Sequence, residues 1–107
     1  MAKDWPKYDE SDLDNFMTHL QTQMEEDDLI VRVKIENSSS KDMRVIIEPW
    51  GSRDEFPSRA VYEIVTAGSP KTPVLHIDVH DKGLIVHCMQ GKDGTIFNNG
   101  IATEAHC

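Results

Sequence analysis

The spacing of apolar residues changes once along this chain, and that change most constrains what the chain can fold into. Up to residue 24, apolar side chains recur every three or four positions, which is the period of one face of an α-helix. These residues form what we term the helix stripe: Leu13, Phe16, Met17, Leu20 and Met24. From Leu29 onwards apolar and polar residues alternate, as they do in a half-buried β-strand. The sequence therefore predicts one N-terminal helix followed by strands.

The helix is expected over residues 11–26, behind a loose arm formed by residues 1–10. Ser11 and Asp14 have the spacing of a capping box, which opens helices. Four consecutive acids at residues 25–28 would lie at the negative end of the helix dipole, so the helix should fray and stop near Glu26. A helix of about 16 residues is only marginally stable alone in water. The helix stripe must therefore pack either on the sheet that follows or on a second copy of the chain.

Six or seven short strands are predicted over residues 29–102, joined by polar turns. A loop containing Pro57 is expected before the strand at residues 60–66. Asp81-Lys82-Gly83 is typical of a tight hairpin in which Gly83 adopts a positive φ, and Asn98-Asn99-Gly100 indicates another. We expect a single mainly β domain, which would be a small antiparallel β-sandwich or open barrel with one N-terminal amphipathic helix.

The net charge of −8 is concentrated at the N-terminus. Residues 1–28 contain nine acids and two bases, whereas the rest of the chain contains ten acids and nine bases. This balance argues against nucleic acid as a partner, because such binding begins with neutralisation of phosphates. The acidic block is either a solvated surface or a docking surface for a basic protein partner.

The chain has no apolar run of the roughly 18 to 20 residues that a membrane-spanning helix needs. Its first residues also lack the apolar core of a secretory signal. We therefore expect a cytoplasmic protein that does not bind membranes.

Histidines and an aspartate mark one possible binding site. His76, Asp78 and His80 share one face of a predicted strand, and His87 lies on the return strand. Asp78, His87 and one flanking histidine would suit a divalent transition metal such as zinc, nickel or iron, in a site similar in character to that of cupins. The alternative is a solvent-facing strand of polar residues that binds no cofactor.

The pairing of the two strands decides whether these groups meet. With a three-residue loop, His80 would lie opposite Leu84 and His76 opposite Cys88. With one more residue in the loop, Asp78 would face His87, and only this second register gathers His87 onto the His/Asp face.

A second possible site follows the predicted strand that ends at Glu48-Pro49-Trp50-Gly51. Residues 43–70, MRVIIEPWGSRDEFPSRAVYEIVTAGSP, resemble a pattern in small, uncharacterised bacterial all-β proteins. In that pattern Glu-Pro-Trp-Gly ends a strand, and an acidic-aromatic-proline step, a valine-rich strand and a Gly-Pro turn follow. The resemblance implies a compact β domain and no established activity. Trp50 either closes one end of the core or forms, with Glu48, a partly exposed binding anchor.

Signatures of catalysis are missing from the sequence. It contains no Gly-x-Ser-x-Gly elbow, Walker loop, Gly-x-Gly-x-x-Gly or His-Glu-x-x-His. Cys88 and Cys107 lack Cys-x-x-Cys spacing and indicate two unpaired thiols, one semi-buried and one exposed, in a reducing compartment.

Two functional hypotheses follow, with enzymatic activity left undecided. The first is a non-enzymatic protein-interaction module that binds a basic partner or associates with itself through the helix stripe. The second is a metal-binding β domain that uses His76, Asp78, His80 and His87.

Overall fold

The computed structural model describes residues 6–106, which form one helix and eight strands. In chain order these are α1 (Asp12–Gln23), β1 (Leu29–Glu36), β2 (Met43–Glu48), β3 (Ser52–Phe56), β4 (Val61–Gly68), β5 (Leu75–His80), β6 (Gly83–Cys88), β7 (Thr95–Asn98) and β8 (Ile101–His106). The helix of this part of the chain is too short and too polar to span a membrane.

The strands form two four-stranded sheets. Sheet 1 has the order β1-β4-β7-β8 and sheet 2 the order β3-β2-β6-β5. The predicted small β-sandwich with one N-terminal helix is confirmed. The described residues contain eight strands rather than six or seven, and β2 and β6 run parallel while the other pairs are antiparallel.

Both differences from the predicted sheet have physical reasons. β3 was expected to be a loop because its sequence, SRDEF, has only one apolar residue, Phe56, which is buried in the core. The parallel pair arises because the chain crosses to sheet 1 to form β4 before it returns to sheet 2. The β5–β6 hairpin then places β6 beside β2.

The main core lies between the two sheets. Alternate side chains of both sheets fill it, as expected for a sandwich. Its buried members are Val45, Ile47, Phe56, Tyr62, Ile64, Leu84, Val86, Ile96 and Ala105. The rings of Phe56 and Tyr62 stack with their centroids 3.7 Å apart. This core fixes which faces of β2 and β6 point inwards and which point to solvent.

The helix covers the outer face of sheet 1. Phe16 and Leu20 are fully buried there against a second cluster that includes Val65, Ala67 and Phe97. The helix stripe therefore packs on the chain's own sheet, which is the first of the two arrangements that the sequence analysis considered. Phe16 and Leu20, the two central side chains of the stripe, are not available to a second copy, and self-association through the rest of the stripe stays a prediction.

The ends of α1 differ from the sequence prediction. Ser11 adopts helical φ and ψ values, and its side chain makes no capping hydrogen bond. Asp9 takes this role instead, since its Oδ1 accepts the backbone N–H of Ser11 at 2.8 Å. At the other end, the helix stops three residues earlier than expected, at Gln23, and Met24 is extended.

The buried carboxylate of Asp12 links the helix to the segment that precedes it and to β8. Asp12 is fully buried, and its Oδ1 accepts the N–H of Lys7 at 2.6 Å. Its Oδ2 accepts the N–H of Ala102 in β8 at 2.8 Å. The first five residues of the predicted loose arm lie outside the described residues, but the arm is attached to the fold at Lys7.

Replacing this carboxylate should destabilise the whole fold. In Asp12→Asn, one acceptor oxygen becomes an amide that faces a backbone N–H, so we expect a loss of about 1–3 kcal/mol in the free energy of unfolding. The matched control is Asp14→Asn, an exposed acid in the same helical turn, which should change stability by no more than about 0.5 kcal/mol. Urea denaturation measures both values, and equal effects of the two variants would contradict the role assigned to Asp12.

Candidate functional site

The outer face of sheet 2 carries most of the residues singled out in the sequence. α1 packs on the outer face of sheet 1 and does not cover the outer face of sheet 2. The outward side chains of β5, namely His76, Asp78 and His80, are all exposed. The site is therefore the open face and the edge of sheet 2.

A two-residue turn fixes the register of the β5–β6 hairpin. His80 pairs with Gly83 across the turn Asp81-Lys82, so His76 lies directly opposite His87. Both predicted registers were wrong, because each assumed a longer loop. Gly83 has the expected positive φ, +152°, and a Cβ at this position would collide with the carbonyl oxygen of Arg44 on β2.

Three polar side chains lie in one row across the sheet. His76 on β5 is opposite His87 on β6, and His87 is the register partner of Glu48 on β2. The two imidazole rings meet edge to face with their centroids 5.3 Å apart. Glu48 leans towards the β2–β3 turn, where its Oε1 lies next to Gly51. The row therefore brings together a binding candidate, Glu48, and two metal-ligand candidates that the sequence analysis treated separately.

The predicted metal site, which combined Asp78 and His87 with one flanking histidine, is not assembled in the described residues. Asp78 lies opposite Ile85 and His80 opposite Gly83, so neither shares the row of His76 and His87. Within residues 6–106, no three His, Cys, Asp or Glu side chains form a group that could hold a metal ion. What the hairpin offers to a metal is a pair of facing imidazoles.

The strand β5 is an exposed edge. Among the described residues, β5 pairs only with β6, and every residue from His76 to His80 is exposed. Leu75 packs against the core, but Ile77 is 38% and Val79 74% exposed although both point to the inner face. The alternating pattern of β5 predicted a covered apolar face, but β5 is the outermost strand and only its first residue packs on the core.

The other strands at the sheet edges are protected in ways that β5 is not. β1 carries Arg32, Lys34 and Glu36 along its outer face, and β3, which carries Arg53 and Glu55, lies against β8 of sheet 1. Charged side chains, lysine above all, discourage pairing of an edge with another chain. β5 contains no lysine or arginine and only one acid. The sequence analysis missed this edge because the strand order was unknown, although the absence of lysine and arginine from β5 can be read from the sequence.

Trp50 lies in the turn between β2 and β3 with 36% of its surface exposed. It is not a member of the core cluster, so the prediction that it closes one end of the core is not supported. Partial exposure is the alternative that the sequence analysis left open. Its role as a binding anchor with Glu48 stays a prediction.

Part of the acidic N-terminal block has a structural role. In the loop after α1, Oδ2 of Asp28 accepts the N–H of Glu25 at 2.8 Å and lies 3.3 Å from Nζ of Lys92. The hydrogen bond from Glu25, with the Lys92 ammonium, lowers the pKa of the Asp28 carboxyl. Asp12 and Asp28 are thus buried, and the docking surface predicted for a basic partner can include only the remaining acids.

The thiol of Cys88 lies on the inner side of β6, opposite Leu75. Burial raises its pKa to about 11, an effect that a hydrogen bond to Thr66 partly offsets and the charge of Asp93 reinforces. A thiol with such a pKa stays protonated near neutral pH. Since a thiolate is the reactive form, Cys88 is a structural residue of the core margin.

Comparison with known proteins gives no match to a family model, a curated protein or a solved structure. A function must therefore be inferred from the geometry of the chain itself.

Proposed function

We propose that this protein is a non-enzymatic protein-interaction module that binds an extended segment of a partner protein along the free edge of β5. The observation that supports this proposal is the exposure of β5 from His76 to His80, including the apolar Ile77 and Val79. The absence of lysine and arginine from β5 supports it further, because these residues commonly block a free edge.

Strand addition would use both the backbone and the side chains of β5. A free edge presents N–H and C=O groups that an extended segment can pair with, and alternate side chains then give specificity. On the inner face, apolar side chains of the partner would remove Ile77 and Val79 from water. On the outer face, polar side chains would lie beside His76, Asp78 and His80.

The charge of the protein favours a particular class of partner. The net charge of −8 and the single acid at the centre of β5 favour a segment that carries lysine or arginine near Asp78. Such complementarity raises the association rate and the specificity more than the affinity. The partner proposed is thus a protein with a basic segment in which apolar and polar residues alternate.

Val79→Lys tests the edge directly. Peptides of about 12 residues are selected on the immobilised wild-type protein, and their dissociation constants are then measured with both proteins. We expect the variant to bind at least about tenfold more weakly, because a lysine would face the apolar side chain of the added strand. Val61→Lys is the matched control, since Val61 is an exposed valine on β4 of the other sheet. Undiminished binding by Val79→Lys, or an equal loss with Val61→Lys, would refute the proposal.

A second candidate function is the binding of a divalent transition metal by His76 and His87. The observation that favours it is the direct pairing of these residues across β5 and β6, with their rings 5.3 Å apart. Neutral imidazoles are ligands for zinc, copper and nickel, and water would complete the coordination. Glu48, at the end of the same row, is the nearest carboxylate in the sheet register.

Thermal unfolding with and without zinc tests this candidate on protein prepared without a histidine tag. A ligand that binds only the folded state raises the melting temperature, and we expect a rise of about 2–4 °C in excess zinc. His87→Ala should abolish the rise, whereas His80→Ala should keep it because His80 lies opposite Gly83, away from the pair. The metal role fails if the wild type shows no rise or if both variants lose it.

A further inference from the structure

We infer that β5 pairs with β5 of a second copy of this chain, antiparallel and with Ile77 opposite Ile77. This inference rests on the proposed strand addition at the β5 edge, but its occupant is a second copy of this chain, which would pair through histidine and aspartate rather than through lysine or arginine. It follows from the sequence of the exposed strand, LHIDVH, which is complementary to itself in one register.

Symmetry limits the registers that two copies can adopt. Residues directly opposite each other in an antiparallel pair point to the same face of the sheet. A two-fold axis between two β5 strands must therefore place one residue opposite its own copy. In the register centred on Ile77, Leu75 lies opposite Val79 of the second copy. His76 lies opposite Asp78 of the second copy, and this pair occurs twice.

The register centred on Asp78 is much worse. It places two aspartates opposite each other, and like charges in this position are destabilising. It also pairs His76 with His80, and it shifts Leu75 opposite the acid Asp81. The Asp78 register keeps one apolar match, Ile77 opposite Val79. The Ile77 register places all three apolar residues opposite apolar residues and also pairs imidazole with carboxylate on the outer face. Of the two registers, complementary charge and apolarity therefore favour the one centred on Ile77.

The pairing would cover the exposed edge of β5 and no other part of the fold. The two copies of sheet 2 would form one continuous sheet of eight strands, and neither β5 would remain an edge. Ile77 and Val79 of both copies would form one apolar strip. His76 can donate a hydrogen bond to Asp78 of the second copy in either protonation state, while His87 lies beside it on β6.

Two features keep this dimer weak. A single strand pair buries less surface than a stable interface, so the association belongs to the transient class. Each copy also carries a net charge of −8, although at about 0.15 M salt charges more than roughly 8 Å apart are largely screened. We therefore expect reversible dimerisation, with a dissociation constant between about 10 μM and 1 mM.

Sedimentation equilibrium over this concentration range, with a charge exchange at the two outer-face positions, tests the inference. His76→Glu should weaken the dimer because two acids would face each other, and Asp78→Lys should weaken it because the lysine would face His76. Mixing the two variants should restore association, since the new glutamate then faces the new lysine and the native Asp78 faces the native His76. We expect the mixture to associate at least about tenfold more tightly than either variant alone. Both residues are exposed, and circular dichroism checks that the variants fold.

Several results would overturn self-pairing in this register. A wild type that stays monomeric up to about 1 mM removes it. A stronger dimer in His76→Glu indicates the Asp78-centred register, where the new acid would face His80. Dimerisation that none of the exchanges alters indicates another surface. A monomeric wild type that still binds selected peptides, and loses them with Val79→Lys, refutes the self-pairing while it supports the proposed function.

Discussion

The fold depends on the burial of β4 on both of its faces. Tyr62 and Ile64 point into the core between the sheets, while Val65 and Ala67 point to the helix. The helix is only marginally stable by itself, so it needs the outer face of sheet 1, and sheet 1 needs the helix to cover its apolar residues. The helix thus covers sheet 1 and not sheet 2, where Ile77, Val79 and the histidines of β5 are open to solvent.

The position of β5 explains why several functional candidates converge on one hairpin. β5 is the outermost strand of sheet 2, so its backbone edge, its inner apolar residues and its outer polar residues are all accessible. Strand addition would use the edge, whereas metal binding would use only the imidazoles of His76 and His87. Because these uses depend on different atoms, separate substitutions can distinguish them. Charged residues on β1 and β3 mean that the same reasoning does not extend to those edges.

Local pattern predicted much of the fold, but it did not predict the long-range pairing. The helix stripe, the positive φ of Gly83 and the Asn99-Gly100 hairpin follow from periodicity and turn chemistry, and the structure contains them. β3 was not predicted because Phe56 is its only apolar residue, so its sequence shows no alternation of apolar and polar residues. The register of β5 with β6 was not predicted because the sequence analysis assumed a loop of three or four residues, whereas the hairpin turns over Asp81-Lys82 alone. The sequence thus identified His76 and His87 but gave them the wrong neighbours.

Backbone hydrogen exchange, measured by mass spectrometry or NMR at a protein concentration below about 10 μM, tests most directly the contrast between a doubly buried β4 and a free β5. We expect the amides of β4 to exchange only through global unfolding. The β5 amides that point away from β6 should exchange at least about a hundredfold faster. Amides in β5 that are all as slow as those in β4 would contradict a free edge, and the interaction surface proposed for this protein would fall with it.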